Sequence, residues 1–151
     1  MDTIRALKQV TIFKDVADPV LEVVARAAEE VTIPAGETIV SVTNALNALY
    51  VIRNGTVRAV PEGGNAPPVL FGPGETIGEA PFIDGEPISG TVTALERVDL
   101  LVIRSGKLAD ALAGHPEAGY ALYRAIARSL AGRLRRAVAM LAFARERDAR
   151  S

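Results

Sequence analysis

From Val31 to Ile103 the chain is a series of short, β-rich segments cut by turn residues about every 8–12 positions. VTI, TIVSV, ALYVIRNG, TVRAV, VLFGPGE, TVTAL and VDLLVI follow one another, with Pro, Gly and Asn between them. Segments this short and this rich in β-branched residues read as strands, and their spacing leaves no room for the crossover helices of a parallel sheet. They therefore predict antiparallel pairing, and about eight strands close most simply as a jelly roll or small barrel. The clearest local signal is RNGT at 53–56, where Asn54-Gly55 tolerates positive φ and predicts a tight hairpin between LYVI and VRAV. Gly63, Gly64, Pro67 and Pro68 predict a looser loop.

The flanks have another period. Ile4, Leu7 and Val10 to Ile12 precede an Asp18-Pro19 start signal, after which Leu21, Val24, Ala25 and Ala28 follow at helical spacing. Two short N-terminal helices over 1–30 are expected. Beyond the β segment, 31–103, Ser105 is placed to cap a short helix to Leu112. Gly114 and Pro116 should end it before a longer helix from about Glu117 to near Arg147, so that the C-terminal helices occupy 105–147. The expectation is one domain, 1–151, mainly β with flanking helices: an eight-stranded jelly-roll barrel, two short N-terminal helices and a long C-terminal helix.

In that last helix Tyr123, Ala127, Leu130, Leu134, Ala137, Leu141 and Ala144 recur in steps of four and three, the spacing of a heptad seam. A helix of about 30 residues is about 45 Å long and outreaches a domain of this size. A homodimer through Tyr123, Ala127, Leu130, Leu134, Ala137 and Leu141 is therefore predicted, with packing on the chain's own β domain or on another protein as the alternatives.

Composition narrows the chemistry. There is no cysteine, hence no disulfide framework or thiolate chemistry, and His115 is the single histidine, set in a loop between Gly114 and Pro116. A histidine-rich metal site or a Ser-His-Asp arrangement has no material, and neither a P-loop nor a dinucleotide fingerprint occurs. A non-enzymatic protein without a metal or tightly held cofactor is expected. No signal peptide pattern or uncharged apolar run is present, which predicts a cytoplasmic protein that does not enter the membrane. Residues 1–116 hold nine Lys and Arg against fifteen acids, and residues 117–151 hold eight Arg against three acids. The basic helix reads as a solvated face, and nucleic-acid binding by this chain alone is not expected.

Two short helices, an eight-stranded roll interrupted by a Gly-Glu turn, a short helix and a long one: this order resembles the cyclic-nucleotide-binding domain, as in the effector domain of catabolite-activator-like regulators. The resemblance runs from LKQVTIFKDVADPVLEVVARAAEEVTIPAGETI through LYVIRNGTVRAV and GPGETIGEAPFIDGEPISGTVTAL to VAMLAFARER. It implies a phosphate-binding cassette of Gly-Glu, a short helical turn, then Arg, Ser or Thr, and Ala. In the family the Glu accepts a bond from the ribose 2′-hydroxyl while the guanidinium and backbone N–H groups hold the cyclic phosphate.

GEAPFIDGEPISGTV, 78–92, matches at Gly78, Glu79 and Ser89, has an acceptable residue in Ala80, and departs at Ile88, where the family has arginine, and at Gly90, where it has alanine. Pro81 removes one backbone donor as well. Losing the partner of a buried charge costs about 3–5 kcal/mol, a factor of roughly 100 to 3,000 in affinity. Arg53 and Arg58 are the substitutes the strands could offer.

The function expected is a regulatory or adaptor role in signal transduction on a cyclic-nucleotide-binding fold, with an impaired nucleotide site and at most a weak cyclic nucleotide ligand. The alternative is a working sensor of cyclic AMP, cyclic GMP or another small effector, as in the effector domain of a longer transcription regulator. No DNA-binding domain is expected within 1–151.

Overall fold

The structure, a computed structural model, describes residues 3–40, 47–63, 67–86 and 90–150. Helix α1 (Thr3–Lys8), a 3-10 turn (Thr11–Phe13) and α2 (Asp18–Ala27) lead into strands β1 (Ala28–Ile33), β2 (Thr38–Val40), β3 (Ala48–Asn54), β4 (Val57–Pro61), β5 (Val69–Phe71) and β6 (Thr76–Ile77). Helix α3 (Glu79–Asp84), β7 (Gly90–Ala94), β8 (Val98–Arg104), α4 (Ser105–Leu112) and α5 (Pro116–Arg150) complete the order. Among the described residues no helix is long and apolar enough to cross a membrane.

The roll is a sandwich. Eight strands among the described residues form two four-stranded antiparallel sheets, β1-β8-β3-β6 and β2-β7-β4-β5, and no ladder joins one sheet to the other. The expectation of a closed barrel is corrected here. The physical reason lies in the connections: the turns after β3 and β7 carry the chain from one sheet to the facing one, and the edge strands β5 and β6 are too short to wrap around.

The hairpin expected at Asn54-Gly55 is corrected by the same topology. Gly55 has the positive φ that the sequence called for, 90°, but β3 and β4 lie in different sheets. What requires glycine is the crossing itself, since a Cβ at Gly55 would stand 2.4 Å from the carbonyl oxygen of Arg97 in the neighbouring crossing between β7 and β8. Ser105 is the first residue of α4 rather than its cap; no side-chain cap bond forms, and its N–H donates to the Asn47 carbonyl at 2.9 Å. Residues 41 and 42 of TIVSV, and Gly64 in the loop before Pro67, lie outside the described residues.

β3 and β8 are buried on both faces, which explains why LYVI and LLVI read as continuous apolar runs. Tyr50, Ile52, Leu100 and Val102 face the second sheet, with Val40, Val57, Ile77 and Val92. Leu49, Val51, Leu101 and Ile103 face the helices and meet Leu7, Phe13, Leu21, Leu108, Leu122 and Ile126.

The first turns of α5 are thereby anchored on the domain, with Ala118, Leu122 and Ile126 buried. Its heptad stripe divides. Tyr123 stacks on Phe82 of α3 and Leu130 packs partly into the helical core, whereas Leu134 and Leu141 are 65% and 62% exposed. At 35 residues α5 is about 52 Å long.

Candidate functional site: the Gly78–Glu79 turn and its arginine from α5

Gly78 ends β6 and starts α3 with φ 90°. A Cβ there would lie 2.7 Å from the carbonyl oxygen of Ala48, so the chain passes close against β3 only because the residue is glycine. That turn sends Glu79 inward. Thr76 and Glu79, 1% and 3% exposed, are the buried polar and charged residues among those described.

A buried carboxylate needs partners, and Glu79 has them. The Thr76 hydroxyl donates to Oε1. Arg133, from the middle of α5, donates from Nη1 to Oε2 at 2.9 Å and from Nη2 to Oε1 at 3.1 Å. Its Nη2 also reaches the Thr76 carbonyl at 3.3 Å. This is a fork-to-fork ion pair, whose geometry fixes direction as well as distance. The Phe82–Tyr123 stack, centroids 6.0 Å apart and ring planes at 25°, is a second contact between α3 and α5. The turn and the long helix are thus joined at two points, one apolar and one ionic.

A second polar atom bears on the site. The Tyr50 ring lies 3.5 Å from where a Gly78 Cβ would be, and Tyr50 is paired with Ile77 in the sheet register. Its hydroxyl is buried and, among the described residues, has no hydrogen-bond partner. Burial pushes its pKa above the ordinary 10.0, against a smaller opposing pull from Arg104.

Of the residues expected from sequence, the structure brings together Gly78 and Glu79 with Ala80, which is exposed on α3. Ile88 and Ser89 lie outside the described residues. Pro81 costs α3 no helical bond, because it sits in the first turn, where N–H groups have no helical acceptor; Phe82 N–H donates to Gly78 and Gly85 N–H to Pro81. Neither strand arginine is the partner of Glu79: Arg53 pairs with Glu30 at 2.8 Å, and Arg58 is exposed on β4. The sequence reading missed Arg133. Its signal was positional, an arginine three residues after Leu130 and seven after Ile126, on the side of α5 that packs inward. Among the described residues no group of three His, Cys, Asp or Glu could hold a metal ion.

Against this geometry, the profile of the cyclic nucleotide-binding domain matches residues 30–115, more than half of the chain. The chain belongs to the cyclic nucleotide-binding domain family. Its fold is shared with the N-terminal domain of a transcriptional regulator from Streptomyces coelicolor A3(2), at 31% identity and a TM-score of 0.69, covering 84% of this chain and 93% of that one. It is also similar to the catabolite activator protein of Thermus thermophilus, at 26% identity and a TM-score of 0.71, over 87% of this chain and 62% of that one. A cyclic nucleotide-gated potassium channel of Mesorhizobium japonicum is 33% identical over 109 residues, 72% of this chain. The chain spans only 29% of that channel's length. In this cyclic nucleotide-binding domain the arginine facing the Gly78–Glu79 turn comes from α5.

Proposed function

We propose that this chain is a non-enzymatic regulatory module in which the Gly78–Glu79 turn governs the position of α5, and that its site is impaired for ordinary cyclic nucleotides. The Arg133–Glu79 pair carries the reading. By resemblance, the Glu79 carboxylate is the group a ribose hydroxyl would need, and here both of its oxygens are taken by a guanidinium. Ile88 stands where the phosphate arginine of the family would be. A nucleotide would have to displace Arg133 from Glu79 without that arginine to repay it. Whatever does displace it loosens α5, and the exposed half of its stripe, Leu134 and Leu141 with Val138, is where the module would pair with a second copy.

The second reading, a working sensor of a small effector, is favoured by the Tyr50 hydroxyl beside the turn, a buried donor that finds no partner among the described residues. Buried polar groups are normally satisfied, and a ligand entering the roll would satisfy this one.

Isothermal titration calorimetry with cyclic AMP and cyclic GMP up to millimolar concentration separates the readings. Weak or absent heat for the native chain, with affinity raised about tenfold or more in Ile88→Arg, is the expected result for the impaired site. Micromolar binding to the native chain would overturn it in favour of the sensor.

A further inference from the structure

α5 runs past the 3-10 turn Thr11–Phe13, and a groove of about 630 Å3 lies between them. Its volume is in the range of small-molecule sites, about 300–1,000 Å3. Ile12 and Val16 form an apolar floor from the N-terminal side, and Arg124, Arg128 and Arg136 line the wall from α5. At about 100° per residue, this face of α5 is nearly opposite the Tyr123–Leu134 stripe, so groove and stripe do not compete.

The charge in the groove is unbalanced. Asp15 is the acid among its lining residues, and among the described residues none of the three guanidinium groups pairs with it or with any other carboxylate. Arg124 is held locally instead: it donates to the Tyr120 hydroxyl at 2.9 Å, its guanidinium 5.9 Å from that ring's centroid. Tyr120 is 66% exposed, so ring and guanidinium together form an open platform at one end of the groove. Toward the other end, Gly132 leaves the backbone bare beneath Arg136, whose Nη1 lies 3.7 Å from where a Cβ would be. Arg124 and Arg128 are about 6 Å apart along the helix axis, and Arg128 and Arg136 about 12 Å.

We infer that this groove binds an organic polyanion of nucleotide size, with clustered phosphates on Arg128 and Arg136 and its ring or apolar part against Tyr120 and the Ile12–Val16 floor. Charge complementarity selects the anion, since three forked donors in a partly apolar channel suit phosphate oxygens and repel cations. The length selects more than one anionic group, because a single small anion spans neither the arginine spacing nor the volume. The inference does not rest on the reading of the Glu79 turn.

The test is calorimetric titration of the full chain with adenosine triphosphate and with inorganic tripolyphosphate, without divalent metal, at constant salt. Saturable binding that weakens about tenfold or more in Arg128→Ala/Arg136→Ala, and partly returns in Arg128→Lys/Arg136→Lys, is expected. Both positions are exposed, so the variants should melt as the native chain does. Tighter binding of the nucleotide than of tripolyphosphate is expected from its ring on the Tyr120 platform; equal affinity for the two probes would overturn the organic part of the inference. No saturable binding of either probe overturns the inference. So does binding that survives the double alanine variant, which puts the ligand elsewhere.

Discussion

Arg133 and Glu79, 54 residues apart in the chain, are held fork to fork by N–H···O bonds of 2.9 and 3.1 Å. The carboxylate is enclosed at 3% exposure while the arginine side chain keeps 38%, so water reaches one partner and not the other. That asymmetry decides what each deletion does.

Arg133→Ala leaves a buried acceptor pair with the Thr76 hydroxyl as its remaining side-chain donor among the described residues. The expected loss is about 1–3 kcal/mol, below the cost for a fully buried pair because the guanidinium is part-solvated. At about 2–4 °C per kcal/mol for chains of 150 residues or more, the melting temperature falls by several degrees. Adding Glu79→Gln should recover part of the loss by removing the unpaired charge. A melt of Arg133→Ala unchanged from the native chain would show that the pair holds nothing together.

Tyr50→Phe removes a buried hydroxyl that has no partner among the described residues. Taking away an unsatisfied polar group of that kind is near neutral or stabilising. The melting temperature should hold or rise, and a fall of several degrees would mean that the hydroxyl is bonded in solution.

The exposed end of α5 makes a prediction about assembly. Leu134→Glu/Leu141→Glu places charges at two positions that are 65% and 62% exposed. Sedimentation equilibrium should give a concentration-dependent mass for the native chain and the monomer mass for the variant, with the thermal melt at low concentration little changed. A native chain that is monomeric at high concentration would remove the pairing role from this stripe.

Asp99 ties the first sheet together where β1, β3 and β8 meet. Thr32 donates to Oδ1 at 2.9 Å and Asn54 to Oδ2 at 3.2 Å, and these bonds hold its carboxyl below the ordinary 3.8. Because the folded value is depressed, the stabilisation is present above the ordinary value and is lost as pH falls through the folded one. Melts of Asp99→Asn should therefore show a shallower decline than the native chain below about pH 4. Parallel declines would mean that this carboxylate takes no part in acid unfolding.

Much of this was legible in residues close together. The change of period at residues 28–31 and again near 104, the Asp18-Pro19 start of α2, the positive φ at Gly55 and the Gly78-Glu79 turn each follow from side chains within a few positions of one another. The family could be seen because several such signals occur in a fixed order.

What the sequence by itself determined, then, was the local period of each segment and the glycines at which the chain must turn, because sterics and hydrophobic alternation act over a few residues. Tertiary structure alone decided that Asn54-Gly55 crosses between two sheets instead of closing a hairpin, since that depends on whether a strand buries more by pairing beside its neighbour or by facing it. It also decided that the arginine of the Glu79 site arrives from α5. A buried carboxylate takes whichever donor the packed core brings within hydrogen-bond reach, and no local pattern records a partner 54 residues away.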